Sequence, residues 1–143
     1  MPHASDLRTG RHVVYKLAIH LVFVTKYRRN AITERAFVIL KAAWERVCAD
    51  FGAELRESGW EHDHVHLLVE YPPKVAVSNL VNSLKGVSSR RLRAANIPEV
   101  QGNLWGRHFW SPSYCAASCG GAPLDVIKRY VENQRGEHGS SPS

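Results

Sequence analysis

Apolar and polar residues alternate over several stretches of this chain. The longest runs from Val13 to Thr25, and this spacing predicts a β-strand with one face in the core. Shorter alternating stretches predict three further strands, at 53–61, at 62–70 and at 108–117, the last interrupted near Pro112. Gly59 lies just before the third of these strands, where we expect a turn or bulge.

Between the strands, apolar residues recur at three- and four-residue steps, the spacing of amphipathic helices. Thr33 is a suitable N-cap for the first helix, which Gly52 ends. A second helix is predicted on the apolar positions of 77–87, and 96–107 is predicted to be a loop. A last helix is predicted from Pro123, beyond a Gly-Gly break, to about residue 134.

The resulting order is β-α-β-β-α-β with an additional C-terminal helix. This order predicts an α+β fold of the ferredoxin-like type, in which one antiparallel sheet carries both helices on one face. We predict a flexible leader at 1–12, one domain at 13–135 and a Gly/Ser-rich disordered tail at 136–143. The fold alone does not define a function, because it supports many activities.

Composition narrows the class of protein. The 143 residues contain no apolar run long enough to cross a membrane, and the N-terminus lacks the layout of a signal peptide, so we expect a cytoplasmic protein. A net charge of +6 favours a polyanionic partner, most often nucleic acid. Three cysteines without CxxC spacing argue against a disulfide framework and against a zinc ribbon.

Three histidines occupy alternate positions in the third predicted strand: His62, His64 and His66. On a strand they would project from one face, with neighbours about 6.5–7 Å apart, while Val65 would point into the core. Two imidazoles at this spacing could converge on one metal ion or one phosphate. The alternative is a solvated strand face that carries histidines without a function.

A tyrosine in the last predicted helix, Tyr130, is a candidate nucleophile, and Gln134 would lie on the same helix face four residues later. A phenol has a pKa near 10 and needs an activated target, such as a phosphoryl group polarised by a divalent cation. The alternative is that Tyr130 is a core aromatic, because it shares its face with Ile127 and Val131.

Basic residues cluster in a loop after the first strand and in the second helix. They could neutralise phosphates, although a solvated helix end is an equally valid interpretation of the helical group. The candidates are Lys26, Arg28, Arg29, Lys85, Arg90, Arg91 and Arg93. Tyr27, Trp105 and Trp110 could stack on bases or pack in the core.

Six segments in a fixed order carry a more specific pattern. They are YKLAIHLVFVTKYR at 15–28, DHVHLL at 63–68, LKGVSSRR at 84–91, LW at 104–105, WSPSY at 110–114 and IKRYVENQ at 127–134. In these segments the sequence resembles the single-tyrosine HUH transposases of the insertion-sequence 200/605 group. The resemblance covers nearly the whole chain.

The resemblance implies a transposase that binds hairpins at the ends of an insertion sequence. It would cleave and rejoin single-stranded DNA through a 5′-phosphotyrosine bond made by Tyr130. His64, His66 and Gln134 would hold Mg²⁺ or Mn²⁺, and the protein would be a homodimer in which the tyrosine helix of one subunit can complete the other's site. His62 stands where the family often has proline, and we leave it out of the metal set.

Two other functions remain open. A housekeeping relative would act on chromosomal repeat hairpins, and hairpin-bearing element ends beside the gene would argue for the transposase instead. A non-catalytic protein that binds single strands would need none of His64, His66, Tyr130 and Gln134 at their spacing.

Overall fold

The computed structural model describes residues 7–101, 108–119 and 129–133. The strands are β1 Arg8–Thr9, β2 Val14–Tyr15, β3 Ala18–Val24, β4 Glu54–Trp60, β5 His64–Glu70 and β6 Cys115–Ser118. The helices are α1 Glu34–Asp50, α2 Val77–Ala95 and α3 Pro98–Gln101, with a 3₁₀ turn at Lys26–Arg28. Residues 129–133 are also helical, and we call them the tyrosine segment.

The main sheet has four antiparallel strands in the order β4-β5-β3-β6. The first long strand, β3, is therefore central and lies between β5 and the last strand, with α1 and α2 contributing to one shared core. This is the ferredoxin-like arrangement, and it confirms the fold predicted from the order of elements.

The core lies between one face of the sheet and the two long helices. Phe23 of β3, Val65 of β5, Trp44 of α1 and Leu84 of α2 are fully buried. The Phe23 and Trp44 rings meet edge to face at a centroid distance of 6.5 Å. Burial of each such side chain is worth about 1.5–3 kcal/mol, so the apolar face of β5 is held firmly against the helices.

The capping residues predicted for α1 are confirmed. Thr33 has extended backbone angles, and its Oγ1 accepts a hydrogen bond of 3.2 Å from the backbone N–H of Ala36. Gly52 follows the helix with a φ of 69°, a left-handed conformation that glycine adopts without the steric cost of a side chain.

The prediction of one continuous strand from Val13 to Thr25 is wrong. The main strand begins at Ala18, opposite Glu70, where β5 ends before two prolines that cannot extend the ladder. Upstream of this break, β1 and β2 form a separate two-stranded hairpin. Arg8, which falls in the predicted leader, donates a hydrogen bond of 2.8 Å to Glu70.

Two local predictions around the third strand are also wrong. The irregularity of β4 lies between Leu55 and Glu57, not at Gly59, which is paired within the strand. The histidine strand starts at His64, and His62 lies in the preceding turn because its carbonyl accepts a hydrogen bond from Ile32 in another part of the chain. His62 therefore does not extend the row formed by the other two histidines.

Further along the chain, the predicted loop at 96–107 contains the short helix α3. The predicted interruption near Pro112 is present, because Trp110 makes an isolated bridge to Thr25 before β6 begins at Cys115. Gln134, Trp105, the start of the last helix and the tail at 136–143 lie outside the described residues. In the part of the chain that the structure describes, no helix is long and apolar enough to cross a membrane.

Candidate active site

The two histidines of β5 lie on the sheet face opposite the helices, as predicted. Val65 between them is fully buried, which fixes the strand and leaves the flanking imidazoles on the other face. His66 is exposed and His64 is partly exposed, so both can be reached from solvent. Across the sheet, His64 is paired with Val24 and His66 with Val22.

The ring of His64 is held by the residue before it. Its Nδ1 lies 2.9 Å from Oδ1 of Asp63, an arrangement in which Nδ1–H donates to the carboxylate. The lone pair of Nε2 then remains available for a ligand, which is the usual arrangement of a metal-binding histidine. Burial would raise the pKa of Asp63, but hydrogen bonds from His64 and Arg28 outweigh burial and lower it.

The ring of His66 packs on Gly59 of the neighbouring strand. A β-carbon at Gly59 would lie 2.6 Å from Cε1 and 3.1 Å from Cδ2 of His66, and nearer still to Nε2. Glycine is therefore required for this position of the imidazole. Although the side chain is exposed at one side, the protein atoms packed against the ring desolvate it and lower the pKa of His66; the neighbouring His64 lowers it further, so the neutral ligand form is favoured.

These two imidazoles fit the nitrogen part of a divalent-metal site. Within 7–101, 108–119 and 129–133, no three His, Cys, Asp or Glu side chains come together as a complete ligand set. A metal held by this pair would need a further ligand; Gln134, the predicted third ligand, lies outside the described residues. Mn²⁺ accepts imidazole ligands more readily than Mg²⁺, which prefers oxygen.

Tyr130 is partly exposed and does not belong to the buried core of the described residues. Its phenol oxygen lies 2.8 Å from Oγ of Ser113, a residue in the turn before β6. This hydrogen bond holds the phenol at the surface, beside the turn that precedes β6. The position does not support the alternative that Tyr130 is only a core aromatic.

Arg28 connects the tyrosine segment with the histidine strand. Its Nε donates to Oδ2 of Asp63 at 2.8 Å, and Nη2 contacts the same oxygen. Its Nη1 donates to the backbone carbonyl of Val131 at 3.0 Å. The Asp63 carboxylate is thus shared between Arg28 and His64, and the Arg28 side chain is only 9% exposed.

Lys85 supports the turn that carries Ser113. Its ammonium group donates to the carbonyl oxygens of Ser111 at 2.7 Å and Ser113 at 3.2 Å. Burial lowers the pKa of Lys85 to about 8. Lys85 therefore contacts protein carbonyls and stabilises the turn whose Ser113 side chain is hydrogen-bonded to the Tyr130 phenol.

The other predicted DNA-binding cations lie in two places, beside Tyr27 and on α2. Lys26 and Arg29 lie 5.4 Å and 5.1 Å from the ring centre of Tyr27, which is 57% exposed. Arg90 and Arg91 are exposed on α2. The residues that line a cavity of about 440 Å³ include Arg90, Arg93, Phe109 and Trp110. DNA binding by the seven cations remains a prediction.

Trp110 is not available for base stacking. It is 4% exposed, and its Nε1 donates a hydrogen bond of 3.2 Å to Oγ of Ser88. The sequence left open whether Trp110 stacks on bases or packs in the core, and the structure shows that it packs in the core.

His62 lies apart from the His64–His66 pair, with its ring edge-on to Trp60 at a centroid distance of 5.8 Å.

Four contributors to the site were missed in the sequence. Asp63 directly precedes His64, a position from which a carboxylate can reach Nδ1, so this signal was available. The sequence carried no comparable signal for the other three, because each depends on a contact between separate elements. These are Gly59, Ser113 and the inward orientation of Arg28.

Comparisons with known proteins identify the family of the chain. The family profile described as "Transposase IS200 like" matches residues 13–134. The chain is 34% identical over 129 residues to the ISDra2 transposase TnpA of Deinococcus radiodurans, covering 90% of this chain and 91% of that protein. It is 29% identical over 142 residues to the transposase for insertion sequence element IS200 of Salmonella typhimurium, covering 96% and 93%.

Solved structures give the same result for the fold. A crystal structure from Deinococcus radiodurans, described as that of a transposase, superposes with a TM-score of 0.79 at 35% identity, over 89% of this chain and 97% of that one. A REP-associated tyrosine transposase bound to a REP hairpin superposes with a TM-score of 0.54 at 15% identity, over 92% and 74%. The second likeness concerns the fold alone.

Proposed function

Because the chain belongs to the IS200-like transposase family, we propose that it cleaves and rejoins single-stranded DNA through a covalent bond to Tyr130. One observation carries this proposal. A solvent-accessible phenol on the tyrosine segment is tied, through Arg28 and Asp63, to the strand that bears His64 and His66. A protein that only binds DNA has no use for this connection.

In the proposed reaction, the Tyr130 oxygen attacks a backbone phosphorus and forms a 5′-phosphotyrosine bond. The bond from phosphorus to the 3′ oxygen breaks, and that oxygen leaves as a 3′-hydroxyl after gaining a proton. The phenol loses its proton in the same step, so the numbers of bonds and protons balance. Rejoining is the reverse attack by a 3′-hydroxyl, and it needs no ATP because one phosphodiester is exchanged for another.

His64 and His66, with Gln134, would hold Mg²⁺ or Mn²⁺. When bound, the metal would polarise a phosphoryl oxygen and make the phosphorus easier to attack. Asp63 orients the His64 ring for this role, and Gly59 leaves the space that the His66 ring occupies. Ser113 holds the phenol through the hydrogen bond to Tyr130.

The DNA would be bound by the exposed cations of α2 and by Lys26 and Arg29, which lie beside the Tyr27 ring. Such contacts release counterions, so the affinity should fall steeply with salt. We propose hairpins at the ends of an insertion sequence as the recognised structures, and a homodimer as the working form. The hairpin bound by the REP-associated transposase is a property of that protein and illustrates the kind of ligand we expect.

A covalent adduct tests the proposal. Single-stranded DNA copied from the sequences that flank the gene is incubated with protein and Mn²⁺, and adducts are separated on a denaturing gel. We expect an adduct with the wild type and with Tyr15→Phe, a control that removes a phenol distant from the site. Tyr130→Phe should bind the DNA without forming an adduct. An adduct of wild-type yield with Tyr130→Phe would overturn the assignment of the nucleophile.

A further inference from the structure

We infer that Arg28 is a positioning residue that couples the tyrosine segment to the His64 imidazole through the Asp63 carboxylate. The inference rests on the proposed function, because it concerns how the nucleophile and the histidine pair are held in one arrangement. It replaces the prediction that Arg28 contacts a DNA phosphate.

The first argument is that the guanidinium of Arg28 divides its N–H groups between two partners. Arg28 directs Nε and Nη2 to one oxygen of Asp63 and Nη1 to the carbonyl of Val131, next to Tyr130. The second oxygen of Asp63 accepts from His64. Each group in this series contacts the next, so a shift of the tyrosine segment is transmitted to the His64 ring.

The second argument is burial. The side chains of Arg28 and Asp63 are 9% and 15% exposed, so neither is free to exchange its partner for water or for a phosphate. Arginine is the residue that can serve both partners, because its planar guanidinium presents several fixed N–H groups. A lysine would keep the charge but could not reproduce this geometry.

The third argument is the backbone that carries Arg28. Tyr27 and Arg28 have φ values of 62° and 52°, the left-handed region that residues with side chains rarely adopt. The turn is held closed by Thr25, whose carbonyl accepts from Arg28 N at 2.9 Å and whose Oγ1 donates to the Arg29 carbonyl at 2.8 Å. Such strain persists where the surrounding structure requires it. Here the strained turn directs the Arg28 side chain inward and leaves Tyr27 exposed.

The test replaces Arg28 with lysine, which keeps the charge, and compares it with Arg46→Lys on the exposed surface of α1. Thermal unfolding establishes that both variants are folded. For Arg28→Lys we expect kcat for DNA cleavage to fall about 10–100-fold, as for a misplaced reacting group, with KM and hairpin affinity within about twofold. Arg46→Lys should match the wild type in every measurement.

Two readouts do not depend on cleavage. Hydrogen exchange of a peptide covering 129–133 should be faster in Arg28→Lys, and the ¹⁵N shifts of the His64 ring in metal-free protein should change. Asp63→Asn should change the same ring shifts, and the double variant should lose less than the sum of the two single effects.

The outcomes separate the inference from the proposed function. Unchanged exchange, ring shifts and kcat in Arg28→Lys would overturn the inference. A weaker hairpin affinity with a salt slope reduced by about one, at unchanged kcat, would also overturn it and assign Arg28 to a phosphate. If wild-type protein forms no adduct, the proposed function fails, and hydrogen exchange with the ring shifts still decides whether Arg28 couples the two elements.

Discussion

The contact between Gly59 and His66 leads to a sharp prediction about the metal site. In Gly59→Ala, the new methyl group would lie 2.6 Å from Cε1 of His66 and 3.1 Å from Cδ2. Carbon atoms in contact are normally about 3.5–4.0 Å apart, so the imidazole must move by about 1 Å. A displacement of this size in a catalytic group costs about 100-fold in rate.

The fold should tolerate the same change. His66 is exposed, so its ring can rotate away without disturbing the core. Alanine in place of a strand glycine also reduces the entropy of the unfolded chain, a gain of about 0.5–1 kcal/mol. We therefore expect the free energy of unfolding to stay within about 1 kcal/mol of the wild type, while Mn²⁺ affinity falls and cleavage slows by about 100-fold.

Two quantities are measured. The affinity for Mn²⁺ comes from a titration in which electron paramagnetic resonance detects the free ion, and the rate of adduct formation is measured on denaturing gels. Gly86→Ala on α2 is the matched control, because its new methyl group meets only the mobile end of Arg90 at 3.3 Å. This control should bind Mn²⁺ as the wild type does. Mn²⁺ affinity and adduct formation at wild-type levels in Gly59→Ala would refute the reasoning.

Three further predictions concern other parts of the structure. His64→Ala should abolish cleavage and leave hairpin affinity within about twofold in a filter-binding assay, since the imidazole is expected to bind metal and not DNA; unchanged cleavage in Mg²⁺ would contradict this. The pKa of Lys85 is lowered from 10.5 to about 8, so between these values the unfolded chain binds more protons at Lys85, and the contribution of this residue to stability should rise with pH. In urea unfolding at pH 7.5 and 10, the change in the free energy of unfolding should therefore be more favourable in the wild type than in Lys85→Met, and equal changes in the two proteins would count against it. Thr33→Ala should lower the free energy of unfolding by about 1 kcal/mol in the same urea assay, because it removes the N-cap bond to Ala36; an unchanged midpoint would argue against that bond.

The fold could be predicted because its strands and helices have clear and different periods. Val65 faces the core and both flanking histidines face away, as alternation requires. The ends of the strands could not be predicted in the same way. Alternation continues through Val13 and Val14, but the main sheet does not extend to them, since β5 stops at Glu70 and Val14 pairs with Thr9 of β1 instead.

The candidate site was predictable only in part for a related reason. Residue types and local spacing identify His64, His66 and Tyr130, whereas the contacts that position them join distant parts of the chain. Arg28 reaches a carbonyl 103 residues away, and its charge alone suggested a phosphate contact. His62 continued the alternation in the sequence, but a hydrogen bond from Ile32 places it in a turn.

The most direct measurement of the central claim is the identity of the residue that carries the DNA. Adduct from wild-type protein is digested with nuclease and protease, and the modified peptide is sequenced by tandem mass spectrometry. We predict a nucleotide joined through its 5′ phosphate to Tyr130, with a 3′-hydroxyl on the released strand. A nucleotide on any other residue, or cleavage without a protein-bound nucleotide, would contradict the account.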